Sequence, residues 1–137
     1  MNSTQLFIPM FIQILLTFIL LQRMGFLRFQ SLRQKKVQIK DIALGQNAWP
    51  ESLTKATNSF HNQMEMPILF YAAILTASIY QNNSVVFLIL AWVFAITRIF
   101  HALVHITTNN VRFRFSFFLA GVISLLLMWI NLAIHIL

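Results

Sequence analysis

Apolar residues are concentrated in four segments of the chain, and these segments determine the predicted architecture. They cover residues 6–21, 67–80, 85–97 and 115–137. A helix that spans a membrane needs about 20 mostly apolar residues, so only the last segment is long enough by itself. The other three become long enough when the adjacent, more polar turns are added. We therefore predict four spanning helices, at about 5–29, 53–80, 84–108 and 113–137, in a single domain of residues 1–137.

Composition supports this pattern and excludes a soluble domain. Hydrophobic residues make up 58% of the chain and charged residues only 9%, and the mean hydropathy is +0.73. Such values are typical of integral membrane proteins. The sequence thus predicts an all-α, integral membrane four-helix bundle with up-down-up-down topology, which has membrane lipid as a partner.

The positions of the basic residues predict the orientation in the membrane. All ten Lys and Arg lie in two regions, 23–55 and 98–114, whereas the loop 81–84 and both termini carry no charged side chain. By the positive-inside rule the two basic regions, including the long loop 30–52, are cytoplasmic and both termini lie on the opposite side. The net charge of +7 is thereby explained by topology and anionic lipid, and no nucleic-acid partner is expected.

Polar side chains form a stripe at the start of the second predicted span. They fall at positions i, i+3, i+4 and i+7 of a helix, and they are Asn58, His61, Asn62 and Glu65. Pro67 follows and removes a backbone N–H, so we expect a bend beside Glu65. Ionisable groups at membrane depth are costly unless they pair or line a wet cavity, so the stripe is a candidate functional site.

A second polar stripe lies at the end of the third predicted span and continues beyond it. It consists of Arg98, His101, His105 and Arg112. The chain has no Cys and only three Gly, so it offers neither a thiol nucleophile nor a glycine-rich phosphate loop. Thiol chemistry would therefore need a thiol supplied by a ligand.

Two interpretations of these stripes need no thiol ligand. Glu65 could form a buried ion pair with Arg98 or His101, because an isolated charge in a membrane is costly. The two i, i+4 pairs, His61 with Glu65 and His101 with His105, could instead converge on Zn²⁺. Arg98 on the same stripe would repel that cation, so we expect no metal site.

The motifs together resemble the MAPEG family, the membrane-associated proteins in eicosanoid and glutathione metabolism. The resemblance rests on Asn62-Gln-Met-Glu65 before Pro67, on Arg98-Ile-Phe-His101-Ala-Leu-Val-His105, and on the basic pair that follows. It implies a homotrimer of four-helix subunits that binds glutathione between neighbouring subunits near the cytoplasmic face. Members use glutathione in transferase, peroxidase or isomerase reactions.

The resemblance also implies roles for individual residues in binding. Asn62 and Glu65 match positions that hold the peptide and the amino end of glutathione. Arg98 and His101 match the motif of the third helix, and Arg98 would face a carboxylate of glutathione. His105 stands where many members have a Tyr that reaches the thiol.

Further positions match the family less closely. His61 falls where some members carry a basic residue, and Arg33 matches a basic residue at the end of the first helix. The thiolate-stabilising Arg of the family corresponds to Arg112 or Arg114, and spacing does not choose between them. Asn58 stands where the family has an Arg, which removes one partner for a glutathione carboxylate.

The resemblance therefore implies a glutathione-dependent transferase or peroxidase that acts on a lipophilic small molecule, in a bacterial inner membrane. An Arg cation in a dry site would lower the pKa of the glutathione thiol and raise the thiolate fraction. The alternative is a non-catalytic structural or lipid-binding membrane protein with the same fold, which Asn58 and His105 keep open.

Overall fold

The computed structural model describes residues 4–43 and 49–137, and within them every regular element is a helix. The all-α prediction is thus confirmed for this part of the chain. The helices are α1 (Thr4–Arg33), α2 (Ile39–Ile42), α3 (Glu51–Gln63), α4 (Met66–Ile79), α5 (Val85–Ile106) and α6 (Val111–Ile136).

Three of these helices are long and apolar enough to cross a membrane. They cover Gln5–Arg33, Val85–Ile106 and Val111–Ile136, which correspond to the first, third and fourth predicted spans. Large apolar side chains such as Phe18, Ile89 and Leu126 are more than half exposed on their outer faces. Such faces suit a lipid environment, which supports the prediction of an integral membrane protein.

The second predicted span is divided into two helices. α3 ends at Gln63, a turn follows at Met64 and Glu65, and α4 begins at Met66. Pro67 is the second residue of α4 and has no N–H to donate to the carbonyl of Gln63, four residues earlier. The expected bend beside Glu65 is therefore a complete break between a polar and an apolar helix.

Side-chain caps define the connections on either side of α5. Ser84 caps the start of α5 and accepts a hydrogen bond from the N–H of Phe87 at 3.3 Å, as expected for an N-cap. Asn110 caps α6 in the same way, accepting from the N–H of Arg112 at 3.0 Å. Asn109 adopts a left-handed backbone with φ of 51°, which Asn tolerates better than most residues. This tight turn brings the end of α5 beside the start of α6.

The core lies among α1, α4, α5 and α6. Phe70 of α4 and Phe94 of α5 are fully buried there, and their rings stack with centroids 4.4 Å apart. The most extensive packing is between α5 and α6, while α3 packs against α1 and α5. The polar helix α3 therefore meets the second half of α5 next to the first turns of α6, and Asn62 of the first polar stripe contacts Arg98 of the second there.

Candidate functional site

A cavity of about 210 Å³ lies where α3, α5 and α6 meet, and we call it the α3–α5–α6 cavity. Its lining residues are Asn62, His101, Val111, Arg114, Phe115 and Phe118. The lining thus combines three polar residues, Asn62, His101 and Arg114, with three apolar ones. Such a mixed lining is typical of a site that binds a polar group beside an apolar one.

Arg114 is fixed in this cavity by two neighbours. Its Nη1 donates a hydrogen bond to Oδ1 of Asn109 at 2.8 Å and lies 3.3 Å from Nε2 of His105. Arg112, two residues earlier on α6, is exposed and does not line the cavity. The structure therefore distinguishes the two arginines that spacing could not, and it is Arg114 that lies in the cavity.

Two histidines of α5 are buried beside Arg114. The ring centroids of His101 and His105 are 5.9 Å apart, and the ring of His101 lies 6.1 Å from that of Phe118. Both side chains are only 3% exposed. Within the part of the chain that the structure describes, Nδ1 of each ring is buried and has no hydrogen-bond partner.

Arg98 lies deeper in the subunit and is only 1% exposed. Its Nη2 donates a hydrogen bond to the backbone carbonyl of Asn62 at 2.7 Å. The Asn62 side chain donates from Nδ2 to the carbonyl of Asn58 at 3.1 Å. Arg98 of α5 is thus hydrogen-bonded to a backbone carbonyl at the end of α3.

Glu65 and His61 are exposed in the subunit, as is Asn58. Among residues 4–43 and 49–137 the only ion pair is Lys55 Nζ with Oε1 of Glu51 at 2.7 Å. Glu65 therefore forms neither of the intrasubunit ion pairs considered from the sequence. Its carboxylate has no ion-pair partner among the described residues.

The structure does not support the metal interpretation. In the described ranges, no group of three or more His, Asp or Glu side chains is close enough to hold a metal ion. His61 and Glu65 are exposed whereas His101 and His105 are buried, so the two i, i+4 pairs do not converge within one subunit.

Arg33 lies apart from the other predicted site residues. It lines a separate depression of about 310 Å³ at the end of α1, together with Phe26, Phe29, Gln30 and Gln34. Arg33 and the α3–α5–α6 cavity are therefore not brought together within one subunit.

Sequence reasoning missed Asn109, Gln13 and Gln63. Asn109 was not among the predicted site residues, yet its side chain accepts a hydrogen bond from Arg114. Gln13 and Gln63 are fully buried and hydrogen-bonded to each other. A Gln within an otherwise apolar span is a signal for interhelical hydrogen bonding, and it was available at Gln13.

Comparison with known proteins agrees with the motifs. The sequence profile described as the MAPEG family matches residues 6–134 of the 137. Neither the comparison with curated proteins nor the comparison with solved structures gave a significant match. The family match covers nearly the whole chain and confirms the resemblance.

Proposed function

Because the chain belongs to the MAPEG family, we propose that it is a glutathione-dependent transferase or peroxidase that acts on a lipophilic electrophile. The observation that carries this proposal is the α3–α5–α6 cavity, in which Arg114 and His101 face Asn62 beside two phenylalanines. The family's association with glutathione supports the choice of the polar substrate.

The charges around the cavity complement those of glutathione. Glutathione carries two carboxylates and one ammonium at neutral pH, and guanidinium and amide groups are suitable partners for carboxylates. Arg114 and Asn62 line the cavity, and the exposed carboxylate of Glu65 is three residues from Asn62. We assign Glu65 to the ammonium, Asn62 and His101 to the peptide, and His105 to the end of the site near Arg114.

The proposed chemistry is activation of the thiol by Arg114. A free thiol ionises near pH 8.5, and a neighbouring cation in a site shielded from water favours the thiolate. The thiolate sulfur would attack an electrophilic carbon of a lipophilic substrate and displace its leaving group as an anion, which leaves a thioether. With a hydroperoxide it would attack the terminal oxygen, break the O–O bond and release the alcohol, and a second glutathione would convert the resulting sulfenic acid to the disulfide and water. Phe115 and Phe118 provide the apolar wall along which such a substrate could reach the sulfur.

The proposal includes a homotrimer whose subunits complete each other's sites. The cavity of about 210 Å³ is smaller than the 300–1,000 Å³, roughly, of most ligand sites. Glu65 and Arg33 also lie on outer surfaces of the subunit, where a neighbouring subunit's cavity could use them. We place His61, which is exposed one residue before Asn62, at the same interface.

We further propose that α3 and α4 cross the membrane together as the second of four spans. The subunit is then an up-down-up-down four-helix bundle with its basic loops in the cytoplasm and both termini outside. The bacterial inner membrane is the membrane we propose. A trimer is tested by native mass spectrometry in mild detergent, where a stable monomer would contradict it.

Calorimetry with the purified protein tests the proposed function. Wild-type protein should bind glutathione at neutral pH, and Glu65→Gln should weaken binding by about 1.5–3 kcal/mol, the contribution of a hydrogen bond to a charged group. Glu51→Gln is the control, because Glu51 lies at the opposite end of α3 from the turn that carries Glu65 and its carboxylate pairs with Lys55. Absence of heat with millimolar glutathione would exclude the transferase and peroxidase proposal.

A non-catalytic lipid-binding role is the second candidate. It is favoured by an entirely apolar groove of about 300 Å³ between α1 and α5, lined by Ile12, Leu15, Leu16, Ile19, Leu20, Ile99, Ala102, Leu103 and Ile106. A groove of this kind suits an acyl chain. Retention of a lipid by protein that does not bind glutathione would support this role.

A further inference from the structure

The break between α3 and α4 leaves a backbone carbonyl that needs a donor. In an unbroken helix the carbonyl of Asn62 would accept from the N–H of Met66, four residues later. The chain turns at Met64 and Glu65 instead, and unpaired carbonyls at helix ends must find other partners. Arg98 supplies that donor, with Nη2 at 2.7 Å from the carbonyl oxygen of Asn62.

The surroundings of Arg98 hold its side chain away from the cavity. It is 1% exposed and is not among the residues that line the α3–α5–α6 cavity. Its Cδ lies 3.9 Å from the point that a Cβ on Gly121 of α6 would occupy. The stem of Arg98 is therefore enclosed between α5 and α6, and its guanidinium reaches the end of α3.

A cation is well suited to this position. The end of a helix carries a partial negative charge on its free carbonyls, and a nearby guanidinium stabilises it. Glu65 lies in the turn that follows, three residues after Asn62. Arg98 thus binds the backbone of Asn62 at the start of the turn that carries Glu65, and both residues are proposed to contact the ligand.

We propose that Arg98 is a positioning residue, which binds the carbonyl of Asn62 and thereby orients Asn62 and Glu65 toward glutathione. This inference rests on the proposed function, and it assigns Arg98 a different role from the contact with a glutathione carboxylate expected from the family resemblance. Nη2 is engaged by the backbone of Asn62 and Arg98 does not line the cavity, so we assign its effect on the ligand to the end of α3.

Ligand analogues distinguish positioning from direct contact. Arg98→Leu should raise the dissociation constant of glutathione about 10- to 100-fold, the range for losing a hydrogen bond to a charged group. The same fold-change should appear with the glycine ethyl ester of glutathione and with the analogue that lacks the α-carboxylate of the glutamyl group. If the fold-change falls to near one for either analogue, Arg98 contacts that carboxylate directly and the proposal is wrong.

Hydrogen exchange tests the same contact without any ligand. In the ligand-free protein, Arg98→Leu should accelerate exchange of the amides in residues 62–66, whereas Arg98→Lys should keep most of their protection because Lys retains a cationic donor. Thr97→Val is the matched control, since Thr97 Oγ1 donates only within α5, to the carbonyl of Phe94 at 2.8 Å. It should leave exchange in residues 62–66 unchanged.

The two measurements separate failure of this inference from failure of the proposed function. Unchanged exchange in residues 62–66 of Arg98→Leu would overturn the positioning role, whatever the affinity for glutathione. If Arg98→Leu accelerates exchange but the wild-type protein binds no glutathione, the contact between Arg98 and Asn62 is supported and the glutathione function is rejected. If Arg98→Leu does not fold, Arg98→Lys carries the test. A 100-fold loss of affinity for glutathione in Arg98→Lys, with the amides of residues 62–66 still protected from exchange, would overturn the proposal.

Discussion

Gln13 of α1 donates a hydrogen bond from Nε2 to Oε1 of Gln63, the last residue of α3. Both side chains are at most 1% exposed. In the described part of the chain, Oε1 of Gln13 and Nε2 of Gln63 have no further partner. The pair ties the end of α3 to α1, while Arg98 ties it to α5. The last turn of α3, which carries Asn62, is thus held from two sides.

Removing one member of the glutamine pair should destabilise the protein. Gln13→Leu or Gln63→Leu leaves one buried amide without its partner, which costs about 1–3 kcal/mol. The double variant should cost less than the sum of the single changes, because no amide is left unpaired. The coupling free energy should be about 0.6 kcal/mol, the average for interhelical hydrogen bonds in a membrane protein, and at most about 1.7 kcal/mol.

This double-mutant cycle is measured by thermal unfolding in detergent. It compares the wild type, the two single variants and the double variant. Gln22→Leu is the control, because Gln22 lies on the same helix α1 and is exposed. Additive effects of the two single changes would show that the hydrogen bond does not contribute to stability.

The helices could be predicted because hydrophobic runs and N-cap residues are features of the local sequence. The third span was predicted to begin at about residue 84, and Ser84 caps α5. The second span was predicted to begin at about residue 53, and α3 begins at Glu51, directly after Pro50. Pro67 indicated a bend, but whether a helix bends or breaks depends on which donors reach the freed carbonyls. Arg98 is 36 residues from Asn62 in the chain, so the break was not visible in local sequence.

The site was only partly predictable for the same reason. The spacing of Arg98, His101 and His105 places them on one helical face, and the structure buries all three. Asn62 was grouped with Glu65, yet Asn62 lines the cavity and Glu65 is exposed on the turn after α3. Arg114 rather than Arg112 lines the cavity because of the turn at Asn109, whose side chain accepts a hydrogen bond from Arg114. Helical periodicity does not describe this turn.

A larger side chain at Gly121 should weaken the packing of α5 against α6. A Cβ at this position would lie 3.1 Å from Thr97 Oγ1 and 3.9 Å from Arg98 Cδ, so α5 and α6 approach each other closely here. Gly121→Val should lower the free energy of unfolding by about 1–3 kcal/mol through overpacking. Gly25→Val provides the comparison, because a Cβ on Gly25 meets nothing within 4 Å. Equal effects of the two substitutions on thermal unfolding would contradict this close packing.

The predicted orientation can be tested with single cysteines, because the chain contains no Cys. Gln34 follows α1 in the basic region and Asn83 lies in the uncharged connection between α4 and α5, and both are exposed. By the positive-inside rule, Gln34→Cys should react with an impermeant thiol reagent only from the cytoplasmic side, and Asn83→Cys only from the opposite side. Reaction of both from one side would refute the proposed topology.

Arg114 and Arg112 provide a matched pair for the proposed thiolate. Arg114 lines the cavity and is held by Asn109 and His105, whereas Arg112 is exposed two residues away on the same helix. Arg114→Gln should raise the pKa of the thiol of bound glutathione by about one unit or more, because a cation that favours the thiolate is lost. Titration of the thiolate absorbance at saturating glutathione measures this, and near neutral pH the ratio of thiolate to thiol should fall roughly tenfold. Arg112→Gln should leave the titration unchanged, and a larger effect from Arg112 than from Arg114 would show that the cavity does not hold the sulfur.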